Sequence, residues 1–386
     1  MDGRCRKRGK RVMRKRPTIN ERLKITVIGC GACGNSIAAK MEKYIKELDG
    51  NKSNTSFVGI NTSTEDLASV ELSHKIHINN SKGAACNREN SIQDLAESID
   101  TILDELKSYI IKDSIVFIAT SLGGGTGSAV SPMLAEILLD EGYKVGMIAV
   151  LPADTESLKI KDNARQAFYE IEELKPRMGS IFILDNNATD KMRINSTFAS
   201  LFTSVLCINN KSQDGNMDLA EVEACLTTPS FSIITKASRE NGTTSNILDV
   251  LNRDSNIFAK REDKTVSVMG ISEAVSAKDS KIDMAELRKE IGVAPTEFHG
   301  YLSESEENVL ILSGLVMPYS RVDAMTESIQ KDADIIKSSV KATTEVRTAK
   351  VIDVFSAPIV EMPAQTTEKS SGLSALERLK AKRISK

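Results

Sequence analysis

The chain has 386 residues, 40% of them hydrophobic and 27% charged, with a formal net charge of −2. That length allows two domains with separate cores, and the balance is that of a globular protein, which excludes nucleic-acid binding by bulk charge. No apolar run approaches the roughly 20 residues that span a bilayer, and the basic start lacks the apolar stretch of a secretory signal, so a cytoplasmic protein without membrane contact is expected.

The charge is unevenly spread. Residues 4–16 are dominated by Lys and Arg and residues 378–386 are also basic, which leaves an acidic body between them. The six cysteines, Cys5, Cys30, Cys33, Cys86, Cys207 and Cys225, form no disulfide framework of the small secreted kind, and the last two fall in apolar stretches. A reducing compartment is the simpler reading. Cys30 and Cys33 have C-x-x-C spacing, but inside a glycine-rich turn, which argues against a redox pair.

Taken in chain order, residues 1–22 read as a basic arm. Residues 23–28 are a β-branched strand, and residues 35–48 show helical spacing at Ile37, Ala38, Met41, Ile45 and Leu48. A strand at 56–60 and a long helix at 92–111 follow. Residues 114–119 are nearly all apolar, as strands buried on both faces of a parallel sheet are. A helix at 130–139, a strand at 144–151, a helix at 164–174 and a strand at 180–184 continue the alternation. This order predicts an α/β sheet with helices on both faces. Residues 194–208 form an apolar-rich helix expected between two domains. Strands at 231–235, 265–271 and 309–314 are assigned to a second, smaller domain. Residues 321–346 lack Gly and Pro and read as a long helix, followed by a loop-like stretch at 347–372 and a short basic helix at 374–382.

Two glycine-rich turns carry the chemistry. Gly29, Gly31 and Gly34 follow a strand and open a helix in the pattern G-x-G-x-x-G. Glycines there let backbone N–H groups approach a phosphate at a helix N-terminus. Taken alone, this motif would suggest a dinucleotide site. Such a site wants an acidic residue ending the second strand, whereas this strand ends in Asn61-Thr62. The second turn, Ser121-Leu122-Gly123-Gly124-Gly125-Thr126-Gly127-Ser128, also joins a strand to a helix and can form a nest of donors around a polyphosphate. There is no G-x-x-x-x-G-K-[ST] pattern in the chain.

These motifs resemble those of the tubulin and FtsZ superfamily. Gly31-Ala32-Cys33-Gly34-Asn35 is similar to the first nucleotide loop of tubulin, and the run from Gly123 to Ser128 is similar to the superfamily signature. Asn61-Thr62 matches the second loop, and Gly83-Ala84-Ala85-Cys86-Asn87 resembles the loop that senses the γ-phosphate. Leu151-Pro152-Ala153-Asp154-Thr155-Glu156 resembles the ribose loop, with Glu156 at the ribose. Asp185-Asn186-Asn187 resembles the guanine loop, with Asn186 as the base contact. The match runs over roughly residues 23–320, in the family's order. Two positions depart from it. Where FtsZ has an Arg after the ribose Glu, this chain has Ile160, between Lys159 and Lys161. On the central helix, relatives carry Asn or Asp four residues after an aromatic. Counting from Phe198, which either stacks on the base or belongs to the core, places Phe202 there.

Asn216-Met217-Asp218-Leu219-Ala220-Glu221 resembles the family's catalytic loop, N-x-D-x-x-[DE]. Asp218 followed by Glu221 is equally a capping box at a helix start. By resemblance, Asn216, Asp218 and Glu221 act on the nucleotide of the next subunit in a filament, where they polarise the attacking water.

The resemblance thus implies a tubulin-like α/β fold: a GTP-binding domain at 23–193, a central helix at 194–215, an activation domain at 216–320, a C-terminal helix at 321–346 and a tail at 347–386. The nucleotide residues it implies are Gly31, Ala32, Cys33, Asn35, Asn61, Asn87, Gly123, Gly124, Gly125, Thr126, Gly127, Ser128, Glu156, Asn186 and Phe198. It implies GTP or GDP with Mg²⁺ at the phosphates, no metal held by a protein cluster of its own, and head-to-tail self-assembly. The long helix and basic tail look most like the TubZ branch, which partitions plasmids and phage genomes; a phage-spindle tubulin or a divergent FtsZ is the alternative. Leu373, Leu376 and Leu379 among basic residues read either as a solvated amphipathic tail or as a docking peptide for a DNA-binding adaptor, or for DNA directly.

Overall fold

The computed structural model describes residues 19–49, 54–78, 83–208, 215–253 and 256–344. Most of the basic arm, the tail from 347 onward and Leu373, Leu376 and Leu379 lie outside the described residues, as do the final positions of the stretch expected as the central helix.

The first half alternates strand and helix. The elements are β1 (Ile25–Cys30), α1 (Gly31–Asp49), β2 (Thr55–Asn61), α2 (Thr64–Ser69), β3 (His74–His77), α3 (Arg88–Tyr109), β4 (Ile115–Ser121), α4 (Thr126–Asp140), β5 (Lys144–Leu151), α5 (Leu158–Leu174) and β6 (Ser180–Asp185). These strands are parallel and stand in the order β3-β2-β1-β4-β5-β6. All six residues of β1 and of β6 are buried, as a strand with helices on both faces requires. The order reverses between β1 and β4, and in open α/β sheets ligands bind at that crevice, outside the carboxyl ends of the strands.

The second half adds α6 (Lys191–Leu206), α7 (Leu219–Thr227), β7 (Ser230–Ser238), α8 (Thr244–Asn252), β8 (Val268–Glu273), α9 (Met284–Ile291), β9 (Thr296–Tyr301), β10 (Glu307–Leu315) and α10 (Tyr319–Thr344). The strands expected in a second domain extend the same sheet: β7 pairs with β6 in parallel, and β10 lies antiparallel between β7 and β8. The helix α6 packs along α1 and touches β7 and β10. Its Phe198 and Phe202 are fully buried. Phe198 lies 5.5 Å from the Phe182 ring and 6.2 Å from Phe258, and Phe202 stands edge-on to Phe117 at 5.2 Å. Such pairs add about 0.5–1.5 kcal/mol each beyond the area they bury.

Most expected elements are present, with ends shifted by a few residues. Helix α5 starts six residues before the expected 164 because its first turn is mixed in polarity (Leu158-Lys159-Ile160-Lys161). The elements α2, β3, α8, α9 and β9 have no counterpart in the sequence reading. Of β3 only Ile76 is buried, and of β9 only Gly300, so neither edge strand shows a hydrophobic pattern. No helix among the described residues is long and apolar enough to cross a membrane.

Candidate nucleotide site

A cleft of about 440 Å³ opens at the β1/β4 crossover. It is lined by residues 30–33, 61–63, 83–86, 121 and 124–127, together with Asp66. Two larger clefts, of about 580 and 620 Å³, have no glycine in their linings, so size does not pick out the phosphate site.

Glycine makes this wall possible. Gly31 has φ 71°, in the left-handed region, and a Cβ there would lie 3.0 Å from the backbone N of Gly127. The two turns therefore touch backbone to backbone. Helix α4 begins after Gly125, which offers no side-chain cap, so the first N–H groups of this largely buried helix face the cleft without an internal partner. Helix α1 starts directly at the end of β1 on the other side. Two helix N-termini thus converge on one space. No Lys or Arg appears among the lining residues, so backbone donors and helix dipoles supply its attraction for anions.

The loop before α3 closes the cleft. Ala85 and Cys86 are both left-handed, at φ 46° and 58°. Each costs on the order of 1 kcal/mol in that region, and such strain clusters at ligand clamps. Asn163 of α5 fastens this loop to the glycine turn: its Nδ2 donates to Cys86 O at 2.9 Å and to Gly123 O at 3.2 Å. Arg88 donates to Asn163 O at 3.0 Å and grips Glu170 through both carboxylate oxygens, so its charge is spent on structure. Thr62 and Thr126 share a hydrogen bond of 2.6 Å that links the end of β2 to the start of α4.

The expected site residues separate into groups. Gly31, Ala32, Cys33, Asn61, Gly124, Gly125, Thr126 and Gly127 line the cleft. Gly123 and Ser128 lie behind it. A Cβ on Gly123 would meet the Ile160 side chain at 2.5 Å, and Ser128 donates its hydroxyl to Gly124 O. Asn87 caps α3, its side chain accepting from Glu89 N at 3.0 Å. Asn35 is fully buried between Gly29 and Gly59 and donates to Ile60 O at 3.3 Å. Its place is the β1–β2 seam and not the cleft wall. Glu156 is held by an ion pair with Lys191 at the start of α6. The Asn186 backbone is tied to Leu151 O at 3.1 Å. Ile160 covers the glycine turn, and Lys161 points to α10, so neither replaces the missing arginine.

Phe198 requires a correction. It is enclosed by other phenylalanines and has no free face for a base. A polar residue of α6 beside the cleft-lining Cys33 is Asn195, which is buried, donates to Ser36 Oγ at 3.3 Å and is not itself part of the cleft wall. The family spacing, counted back from Asn195, falls on Lys191. Burial pushes the Cys33 thiol up to about 11, although Asn195 and Lys191 pull it down, and pushes Cys30 to about 12, which leaves neither a thiolate at neutral pH.

Asn216, Asp218 and Glu221 are not part of this cleft. Asp218 and Glu221 form a reciprocal capping box: Glu221 N donates to Asp218 Oδ1 at 2.9 Å and Asp218 N to Glu221 Oε2 at 2.8 Å. Asp218 is exposed and Glu221 half-buried. The loop is backed by β9, where Tyr301 N donates to Gly215 O at 3.0 Å.

Residues 24–193 match the Tubulin/FtsZ family, GTPase domain. Residues 24–193 are thus a Tubulin/FtsZ-type GTPase domain. Over 278 residues it is 26% identical to the tubulin-like protein TubZ of a Clostridium botulinum C phage, covering 70% of this chain and 75% of that protein. Among solved structures, the tail-truncated TubZ of Clostridium botulinum phage c-st superposes with a TM-score of 0.68 at 25% identity, over 80% of this chain and 98% of that one. A GTPyS-form protofilament of Bacillus thuringiensis serovar israelensis TubZ shares the fold, with a TM-score of 0.70 at 17% identity, over 84% and 95% of the two chains. The fold of the described residues is tubulin-like.

Proposed function

We propose that this chain binds and hydrolyses GTP and polymerises head to tail, each subunit completing the site of its neighbour. One observation carries the reading: the cleft at the β1/β4 crossover contains helix N-termini and glycine backbone, with Asp66 its one carboxylate and already bonded to Asn61, while the Asp218–Glu221 carboxylate pair sits elsewhere on the chain, with Asp218 exposed. Phosphoryl transfer needs mainly positioning and charge stabilisation, which two surfaces brought together can supply. A contact of unlike faces does not close on itself and propagates as a filament.

In this reading residues 23–193 bind the nucleotide and residues 216–320 supply the carboxylate loop. Backbone N–H groups at 31–33 and 124–127 take the phosphates, with Asn61 and Asn87 at their edge and Gly123 and Ser128 shaping the turn from behind. Glu156 leaves Lys191 for the ribose hydroxyls, and Asn186 together with Asn195 reads the guanine edge. The residues at the phosphate end suit Mg²⁺: Asp66 is the one carboxylate lining the cleft, beside the Thr62 and Thr126 hydroxyls, and this ion favours a single carboxylate plus phosphate oxygens. It would neutralise charge between phosphates. Asn216, Asp218 and Glu221 of the adjoining subunit would orient the attacking water. The basic residues 378–386 would recruit a DNA-bound adaptor, so that the filament segregates a plasmid or phage genome; the charge and leucine spacing of the tail support this.

Asp218→Asn tests the reading, because Asn keeps the helix cap while removing the base. Phosphate release should fall at least about 100-fold with GTP binding and light scattering retained. Release at the wild-type rate would show that the loop is not the catalytic element.

A further inference from the structure

We propose that Arg321 is a positioning residue for the nucleotide, joining the two loops that leave β5 and β6 to the first turn of α10. The inference rests on the nucleotide reading above, which assigns those loops to the ribose and the guanine.

The two loops form one cross-linked unit. Asn186 N donates to Leu151 O at 3.1 Å. Asp154 N donates to Asn187 Oδ1, and Asn187 Nδ2 returns a bond to Asp154 Oδ2, both at 2.9 Å. Asn187 N donates to Asp185 Oδ1 at 3.0 Å. Arg321 lies against this unit. Its Nε donates to Asp185 Oδ2 at 2.8 Å and its Nη2 to Pro152 O at 2.7 Å, while its Nη1 makes an ion pair with Asp154 Oδ1 at 3.0 Å, without hydrogen-bond geometry. One guanidinium therefore touches a backbone carbonyl and a carboxylate of the first loop, and the carboxylate that opens the second.

Burial gives the contact its weight. The Arg321 and Asp185 side chains are each 12% exposed, so removing the arginine leaves a largely desolvated carboxylate unpaired. The planar fork satisfies three directions at once, and a lysine ammonium on a flexible stem cannot do the same. The first turn of α10 is itself anchored. Tyr319 OH donates to Glu172 Oε1 at 2.6 Å, and Ser320 reaches Glu262 through both its N–H, at 2.9 Å, and its hydroxyl, at 2.8 Å. About three turns further on, Asp332 receives Lys161 of α5 at 2.5 Å, and α5 begins directly after the ribose loop. The C-terminal helix thus braces the two loops that the nucleotide reading assigns to the ribose and the base, and Arg321 is its contact with both.

Neither loop is part of the chemistry, so the effect belongs to nucleotide binding. In full-length protein, Arg321→Ala should raise the KM for GTP at least tenfold and leave kcat at saturating GTP within twofold. Arg321→Lys should recover the melting temperature but less than half of the lost affinity. Asp154 is 64% exposed, so Asp154→Asn folds whatever happens to the arginine variants, and it should raise KM about threefold. Unchanged KM in both Arg321→Ala and Asp154→Asn, or a fall in kcat that matches any rise in KM, would overturn the positioning role while leaving GTP binding established. Wild-type protein that fails to bind a fluorescent GTP analogue would overturn the nucleotide reading itself, and this proposal with it.

Discussion

Two neighbouring regions of the molecule are built from different material. The cleft at the β1/β4 crossover is backbone: two glycine turns in contact, an uncapped helix start and a strained loop held down by Asn163. The loops after β5 and β6, with the start of α6, are tied by side chains in ion pairs and amide bonds: Glu156 with Lys191, Asn187 with Asp154, Asp185 with Arg321, Asn195 with Ser36. A backbone cradle is fixed once the fold forms. A side-chain wall can be exchanged residue by residue, and here it departs from the family pattern at Ile160 and Lys191.

The largest expected effect attacks the backbone side. A Cβ on Gly34 would stand 2.0 Å from the carbonyl oxygen of Ala119 on β4, so Gly34→Ala must push α1 off the sheet. Loss on the order of 4 kcal/mol is expected. Thermal unfolding should show a melting point lower by about 10 °C or more, and GTP binding should disappear. A Gly34→Ala protein with wild-type melting and affinity would mean that the close approach of α1 to β4 is not what the site depends on.

Replacing Asn195 should cost less. On the proposed base contact it would remove one or two hydrogen bonds to guanine, each worth about 0.5–1.5 kcal/mol, so Asn195→Ala should weaken GTP binding about tenfold by titration. The same change should affect xanthosine triphosphate less, because that base presents a different edge. Equal losses for both nucleotides would assign Asn195 to the structure of the α1–α6 seam and remove it from base recognition.

Legibility followed the same division. Glycine runs between a strand and a helix announce a phosphate cradle because few other residues tolerate φ near 71° or a backbone contact at 3.0 Å. Buried strands such as 144–151 were equally plain, because apolar burial on both faces leaves a continuous pattern. The elements β3 and β9 were not, since an edge strand with one buried residue has no period to read. Arg321, Asn163 and Asp66 were invisible for another reason. Their partners lie 136, 77 and 5 residues away or across the cleft, and nothing local in the sequence marks them. The register of α6 was misread because an aromatic was used as the landmark on a helix whose aromatics belong to the core.

Phe198 supplies the finest test of the comparison, because it separates a base-stacking ring from a core ring. It is fully buried against Phe182, Phe202 and Phe258, on the inner face of α6, while Asn195 of the same helix turns toward α1. Phe198→Leu removes ring contacts that add about 0.5–1.5 kcal/mol each and leaves a small void, so stability should fall by about 1–2 kcal/mol. GTP affinity should stay within twofold, because no atom of the ring reaches the cleft. A ring stacked on guanine would give the opposite pattern, with affinity lost about tenfold at nearly constant melting temperature. Measuring both quantities on this one variant therefore decides whether α6 meets the nucleotide through Asn195 or through its aromatic face.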